Sequence, residues 1–340
     1  MQPRLPTFTW KHAARYLVIL IVLGLAVHLI LPQIATLEKS IQIIRGMFIW
    51  AVVLAALAEV SSYLGSGLLL KEIVKLSDGK LSAWRGAMIT LAGASFGMVA
   101  GGMVGSAAAI YRWMQKEKIK QESATLAGTI PPVLIDLVLV VVSLIGLIHL
   151  LLIHQLTSWQ GISFLVILAV LLGLIGLLVW GLRKRESLQV WATKTGRWWA
   201  KLIHREYQPQ RTAEWLEGLF DAADLLLSGG WRGPLLGASL TVVFDMLTLY
   251  FLFIAAGHPV SAGVLLTGYG LPLLFGRTAF MIPGGVGVIE STMAGLYASL
   301  GVQDAVTVVV VLAYRVLSFW IPLLLGFPLI LILERQSQED

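Results

Sequence analysis

The chain has no cysteine, so disulfides and thiol catalysis are excluded and the redox state of its compartment goes unread. Charge is scarce too. Only 13% of residues are charged against 57% hydrophobic, and mean hydropathy is +0.83. A soluble core of 340 residues needs a polar coat that this composition cannot supply. No Ser/His/Asp order, Walker loop, HExxH motif or dinucleotide fingerprint occurs, and Gly284, Gly285 and Gly287 neither follow a strand nor open a βαβ unit. The histidines (His12, His28, His149, His154, His204 and His258) lack metal-ligand spacing, so no metal and no cofactor is expected. Without a nucleophile–base constellation, the chain reads as a non-enzyme.

What is present is apolar sequence in runs of about 20 residues, enough to cross about 30 Å of hydrocarbon. The runs do not alternate as β-barrel strands do. The expected fold is an all-α polytopic integral membrane protein with full spans at 16–32, 46–70, 130–153, 162–182, 234–256 and 305–333. Residues 16–31 follow a basic start and resemble a signal peptide, but no A-x-A-like site follows, and Leu31-Pro32-Gln33 reads as the end of a retained helix. Segments 86–111 and 264–300 differ from the spans. The first is rich in glycine, with Gly101, Gly102 and Gly105 near its end, and the second combines Pro272 and Pro283 with Gly284, Gly285 and Gly287. Such density favours backbone breaks, which survive at membrane depth only when covered by protein or water.

Basic residues set the topology. Both flanks of 86–111 are basic: Lys71, Lys75, Lys80 and Arg85 before it, Arg112, Lys116, Lys118 and Lys120 after it. A simple crossing would put one flank outside, so a re-entrant hairpin is expected. The turn 154–161 is uncharged, whereas 183–232 carries nine basic residues, Arg183 to Arg232. The N-terminus (Arg4, Lys11, Arg15) and the tail at Arg335 then fall on the cytoplasmic side. Of the 25 basic residues, all but Lys39, Arg45, Arg277 and Arg315 lie there. The second Gly-rich segment begins and ends outside.

Two spans, a hairpin and a span over 16–153 are therefore followed by the same order, reversed in direction, over 162–333. This is an inverted repeat within a single membrane domain, the architecture of many secondary transporters. The insert 183–232 reads as a cytoplasmic amphipathic linker of two helices, 187–206 and 212–227. Trp191, Trp198 and Trp199 beside Lys194, Arg197 and Lys201 suit a headgroup layer. The net charge of +6 is read as contact with anionic lipid headgroups, chiefly at 183–211, rather than with nucleic acid.

Ionisable groups inside spans cost about 2.5–3.5 kcal/mol each and need a reason. Glu59 and Asp245 occupy matching mid-span positions in the two halves, while Asp136 lies six residues into its span. Arg277 and Glu290 flank the Pro283-Gly284-Gly285 break, where short helix ends offer N–H groups to an anionic headgroup. Arg315, from the last span, serves either that headgroup or Glu290. The bland alternative for each is a pair that locks helices together.

The run Met281-Ile282-Pro283-Gly284-Gly285-Val286-Gly287-Val288-Ile289-Glu290, then Leu300-Gly301-Val302 and Tyr314-Arg315, resembles the lysylphosphatidylglycerol synthase transmembrane family, the flippase-like domain. Gly101-Gly102, Gly105, Tyr111-Arg112 and Met114 resemble its first-half motif, without the proline and acidic residue of other members. The resemblance implies a bacterial-type inner-membrane protein, a stand-alone member without the synthetase domain. It would move the headgroup of an anionic or aminoacylated lipid, or of a lipid-linked precursor, between leaflets. The expected translocation residues are Arg277, Pro283, Gly284, Gly285, Gly287, Glu290, Arg315, Glu59, Asp245, Gly101, Gly102 and Arg112. The rival is a non-transporting partner that scaffolds a lipid- or glycan-modifying enzyme. Homo-oligomerisation is left open.

Overall fold

The apolar runs fold as helices. A computed structural model describes residues 37–76, 78–99, 102–152, 184–202, 230–278 and 283–335, with isolated positions between 162 and 224. Its helices are α1 (Leu37–Gly46), α2 (Ile49–Lys75), α3 (Ala83–Val99), α4 (Met103–Lys116), α5 (Gln121–Leu152) and α6 (Arg185–Leu202). They continue as α7 (Arg232–Ala255), α8 (Ala262–Thr278), α9 (Val288–Ser299), α10 (Asp304–Arg315) and α11 (Ile321–Arg335). Among the described residues there is no strand.

Among the described residues, four helical stretches are long and apolar enough to cross a membrane: Ile49–Lys75, Ser123–Leu152, Arg232–Ala255 and Asp304–Arg335. They correspond to the expected spans 46–70, 130–153, 234–256 and 305–333, and the chain is an all-α polytopic membrane protein. The span at 16–32 lies outside the described residues, and only isolated positions of 162–182 fall inside them. Of the two linker helices, the first is α6; most of 212–227 is outside the described residues. Two features depart from expectation. The 130–153 span begins at Gln121, because Pro131 and Pro132 are accommodated inside the helix. The last span is not uniform either: a π-helical turn, Val316–Trp320, separates α10 from α11.

Helices α2 and α7 form an antiparallel central pair. The Phe48 N–H donates to the Ala255 carbonyl at one end (2.9 Å), and Ser62 donates to the Thr241 carbonyl midway (2.9 Å). At the other end Gly233 packs against Glu72. Helix α3 crosses α2 where Gly67 and Gly86 touch backbone to backbone, and a Cβ on either would strike the other helix.

Each Gly-rich segment is a helical hairpin. In α3–α4, Gly93 packs on Ile110 and Gly97 on Ser106, and the open end is clamped by Arg85 and Glu117 at 2.6 Å. In α8–α9, Gly268 packs on Tyr297 and Gly276 on Ile289. The hairpins open at opposite ends of the bundle. The base of α3–α4 lies at the basic end, where Arg112 and Lys116 also reach Glu334 at 3.1 and 2.7 Å. The base of α8–α9 lies at the other end, with Gly263 against His149 of α5. Packing between the halves is reciprocal: α3 runs along α11, with Ser95 donating to the Leu323 carbonyl (3.0 Å), and α8 runs along α5, with Gly146 against Thr267.

Candidate functional site

Two polar groups sit where the apolar helices converge. The first is acidic. Glu59 of α2 is only 6% exposed, and its carboxyl and that of Asp245 on α7 lie within hydrogen-bonding reach of each other. The antiparallel pairing of α2 with α7 brings these two mid-helix positions together. Carboxyls placed in apolar surroundings require donors. Tyr269 of α8 and Tyr314 of α10 both donate to Asp245 Oδ2, at 2.6 and 2.8 Å. The Thr248 hydroxyl is 3.0 Å from Glu59 Oε2, 3.1 Å from the Phe244 carbonyl and 3.3 Å from the Ala55 carbonyl. Its single proton serves one of these acceptors at a time.

Tyr63, one turn beyond Glu59, donates across to the Ser318 carbonyl at 3.3 Å. Residue 322, four positions after Ser318, is proline and has no N–H to offer that carbonyl. The tyrosine thus supplies a donor where the last span is locally unwound into its π turn.

The second group is a clasp around the hairpin tip. Arg315 Nε donates to Glu290 Oε1 at 2.6 Å, and Nη2 donates to the Gly284 carbonyl at 3.0 Å. The guanidinium also lies over the Phe319 ring, 4.3 Å from its centroid. Glu290 Oε2 accepts the Gly287 backbone N–H at 2.7 Å. Gly284, Gly285 and Gly287 all have positive φ (66°, 60° and 85°), which explains glycine at each turn position. A Cβ on Gly284 would also strike Phe319, with Met98 of the other hairpin close by. The two hairpin tips therefore meet. Because Tyr314 and Arg315 are neighbours, one turn of α10 binds the acidic pair and the clasp together.

Glu59, Asp245, Pro283, Gly284, Gly285, Gly287, Glu290 and Arg315 are thus gathered into one region. Glu59 and Asp245, at matching mid-span positions in the two halves, face each other. Arg315 pairs with Glu290. Arg112 stands apart, paired with Glu334 at the basic end. Gly102 shapes the α3–α4 tip with φ 70° and has open space beside it. Arg277 falls in the last turn of α8; its side chain, like Gly101, is outside the described residues. Sequence reasoning did not assign Tyr269, Thr248 or Phe319. Tyrosine and threonine inside an apolar run were the available signal, and helix packing alone selects which of them meet the acids.

The family model described as the lysylphosphatidylglycerol synthase TM region matches residues 13–326. A UPF0104 membrane protein of Pyrococcus horikoshii is 35% identical over 94 residues, 26% of each chain. One from Methanocaldococcus jannaschii is 22% identical over 188 residues, 54% of this chain and 55% of the relative. Another, from Methanothermobacter thermautotrophicus, is 33% identical over 87 residues, 26% of each. The matched stretches span from about a quarter to about half the length of these relatives.

Proposed function

The chain belongs to the lysylphosphatidylglycerol synthase transmembrane family, and on that premise we propose that it translocates the headgroup of an anionic or aminoacylated lipid, or of a lipid-linked precursor, between leaflets. One observation carries the reading: two helical hairpins open at opposite ends of the bundle, and their tips meet beside a buried polar cluster. In this reading both hairpins are re-entrant and the halves 16–153 and 162–333 form an inverted repeat. The reciprocal packing of α3 on α11 and α8 on α5 supports that symmetry.

The headgroup passes between the tips, over Pro283–Glu290. The backbone of that break offers N–H groups, and the start of α9 adds its positive dipole end. Arg277, at the end of α8, supplies the counter-charge. Arg315 holds the break open through Glu290 and Gly284. The facing carboxyls of Glu59 and Asp245 are the place for a coupling proton, taken up or released as the hairpins move. The basic end, with Arg112 and Lys116, is the cytoplasmic side, and both termini lie there; α6 rests on anionic headgroups. The location is a cytoplasmic (inner) membrane, and the protein acts without forming a covalent intermediate.

Purified protein reconstituted into liposomes with headgroup-labelled phosphatidylglycerol and its aminoacylated derivative is expected to accelerate exchange between leaflets. No acceleration with either lipid would favour the scaffolding role. Arg277→Ala and Glu290→Gln should each abolish exchange; wild-type rates in both would overturn the site assignment.

A further inference from the structure

A lateral cavity of about 550 Å³ lies between α2, α3 and the last helix, from Ala56 and Leu317 at its inner end to Trp84 and Leu329 at the basic end. Its wall is apolar except for Glu59 and Tyr63. It opens sideways: Val60, Trp84, Ile321 and Leu325, all on its rim, are 55%, 64%, 42% and 55% exposed. Both α2 and the last helix are long enough to cross a membrane, so the medium at that opening is lipid, not water.

The length of the cavity is informative. Leu317 to Leu329 covers about 18 Å of helix at about 1.5 Å per residue. Half of a hydrocarbon core of about 30 Å is about 15 Å. The groove is therefore one leaflet deep. Its inner end stops at mid-span against Glu59, beside the polar cluster; its outer end carries a tryptophan adjacent to Arg85, the usual signature of an interface. Pro322 and Pro328 place compact rings on the groove side of the last helix, between Leu317, Ile321, Leu325 and Leu329.

We propose that this groove seats one hydrocarbon chain of a bilayer phospholipid, running from Trp84 to Glu59. A headgroup at the polar cluster would then be at mid-membrane with its chain trailing back along the groove toward the basic end. The chain is guided by protein rather than left in bulk bilayer. The inference rests on the translocation reading only in taking the polar cluster as the headgroup's place.

A phosphatidylglycerol carrying a diazirine midway along one acyl chain tests it, with the full chain in phosphatidylglycerol/phosphatidylcholine vesicles. After irradiation, peptide mapping is expected to find adducts on Leu91 and Leu325 well above those on the lipid-facing side of α5 at Val133, Leu137 and Val141. Ala87→Trp fills the groove from α3, and Leu325→Trp fills it from an exposed rim position that tolerates bulk. Each should lower groove labelling about tenfold, the effect of two or so methylenes losing their seat. Groove labelling equal to that of α5, or unchanged in both variants, would overturn the proposal. Groove labelling without headgroup exchange in the same vesicles leaves the chain seat standing and removes the translocation reading. Exchange without groove labelling does the reverse.

Discussion

Arg315 reaches three partners of different kinds with one planar group: a carboxylate, a backbone carbonyl and an aromatic face. Lysine has neither the fork nor the flat face to replace it. The side chain is only 5% exposed and that of Glu290 18%, so either alone would leave a charge stranded in apolar surroundings. Breaking such a pair by removing one member typically costs about 3–5 kcal/mol, whereas removing both costs far less. Arg315→Met and Glu290→Met should therefore each lower the thermal midpoint of the purified protein, and the double variant should recover most of the loss. A double variant as unstable as the sum would mean that the clasp acts through packing alone. The acidic pair allows a second comparison. Tyr269 and Tyr314 both donate to the same Asp245 oxygen, so each →Phe change removes a bond to an acid, worth about 1.5–3 kcal/mol if that acid is charged. Because the two share one acceptor, the double change should be non-additive; strict additivity would argue against a shared oxygen.

At the level of elements, the two hairpin tips use glycine differently. Gly284 needs it twice over, for a φ of 66° and because a Cβ would meet Phe319. Gly102 needs it only for its φ of 70°, with open space beside it. Backbone held at positive φ costs a non-glycine residue about 1–3 kcal/mol. Gly102→Ala should cost about that much in a thermal unfolding assay, and Gly284→Ala more, because Phe319 is the ring on which Arg315 stacks. Equal losses would show that the Phe319 contact is not a constraint. The π turn makes a parallel case. Pro322→Ala would restore an N–H four residues after Ser318, and Tyr63→Phe should then be less harmful than in the native background, where about 1 kcal/mol is at stake. That both Gly-rich segments break and fold back on themselves was legible in the sequence, since glycine and proline at that density interrupt a helix. So was the need of Glu59, Asp245, Glu290 and Arg315 for polar partners, because ionisable groups in apolar runs demand them. Which partner each one takes was not. Tyr269 and Tyr314 lie 24 and 69 residues from Asp245, and only the packing of α8 and α10 on α7 brings their hydroxyls to one oxygen. The π turn was not legible, because Pro322 frees the Ser318 carbonyl without specifying that the helix widens over Val316–Trp320.

For the whole molecule, the arrangement is governed by where the hairpin bases lie. One base is clamped by Arg85 and Glu117 beside the Glu334 cluster, and the other lies past Ser299, at the end where α2 begins and α7 finishes. If the bundle spans a bilayer along its long apolar helices, these bases face opposite compartments. The absence of native cysteine makes this directly measurable. Lys120 and Gln303 are exposed residues just outside the two hairpins, in short connections. Lys120→Cys and Gln303→Cys, each introduced alone, should react with a membrane-impermeant maleimide from opposite sides of sealed vesicles. Lys120 is expected on the side that carries the basic residues, because short loops rich in Lys and Arg are retained in the cytoplasm. Labelling of both from the same side would make one hairpin a full crossing and would remove the inverted repeat. Labelling from opposite sides with the basic side outermost would keep the repeat and reverse the orientation.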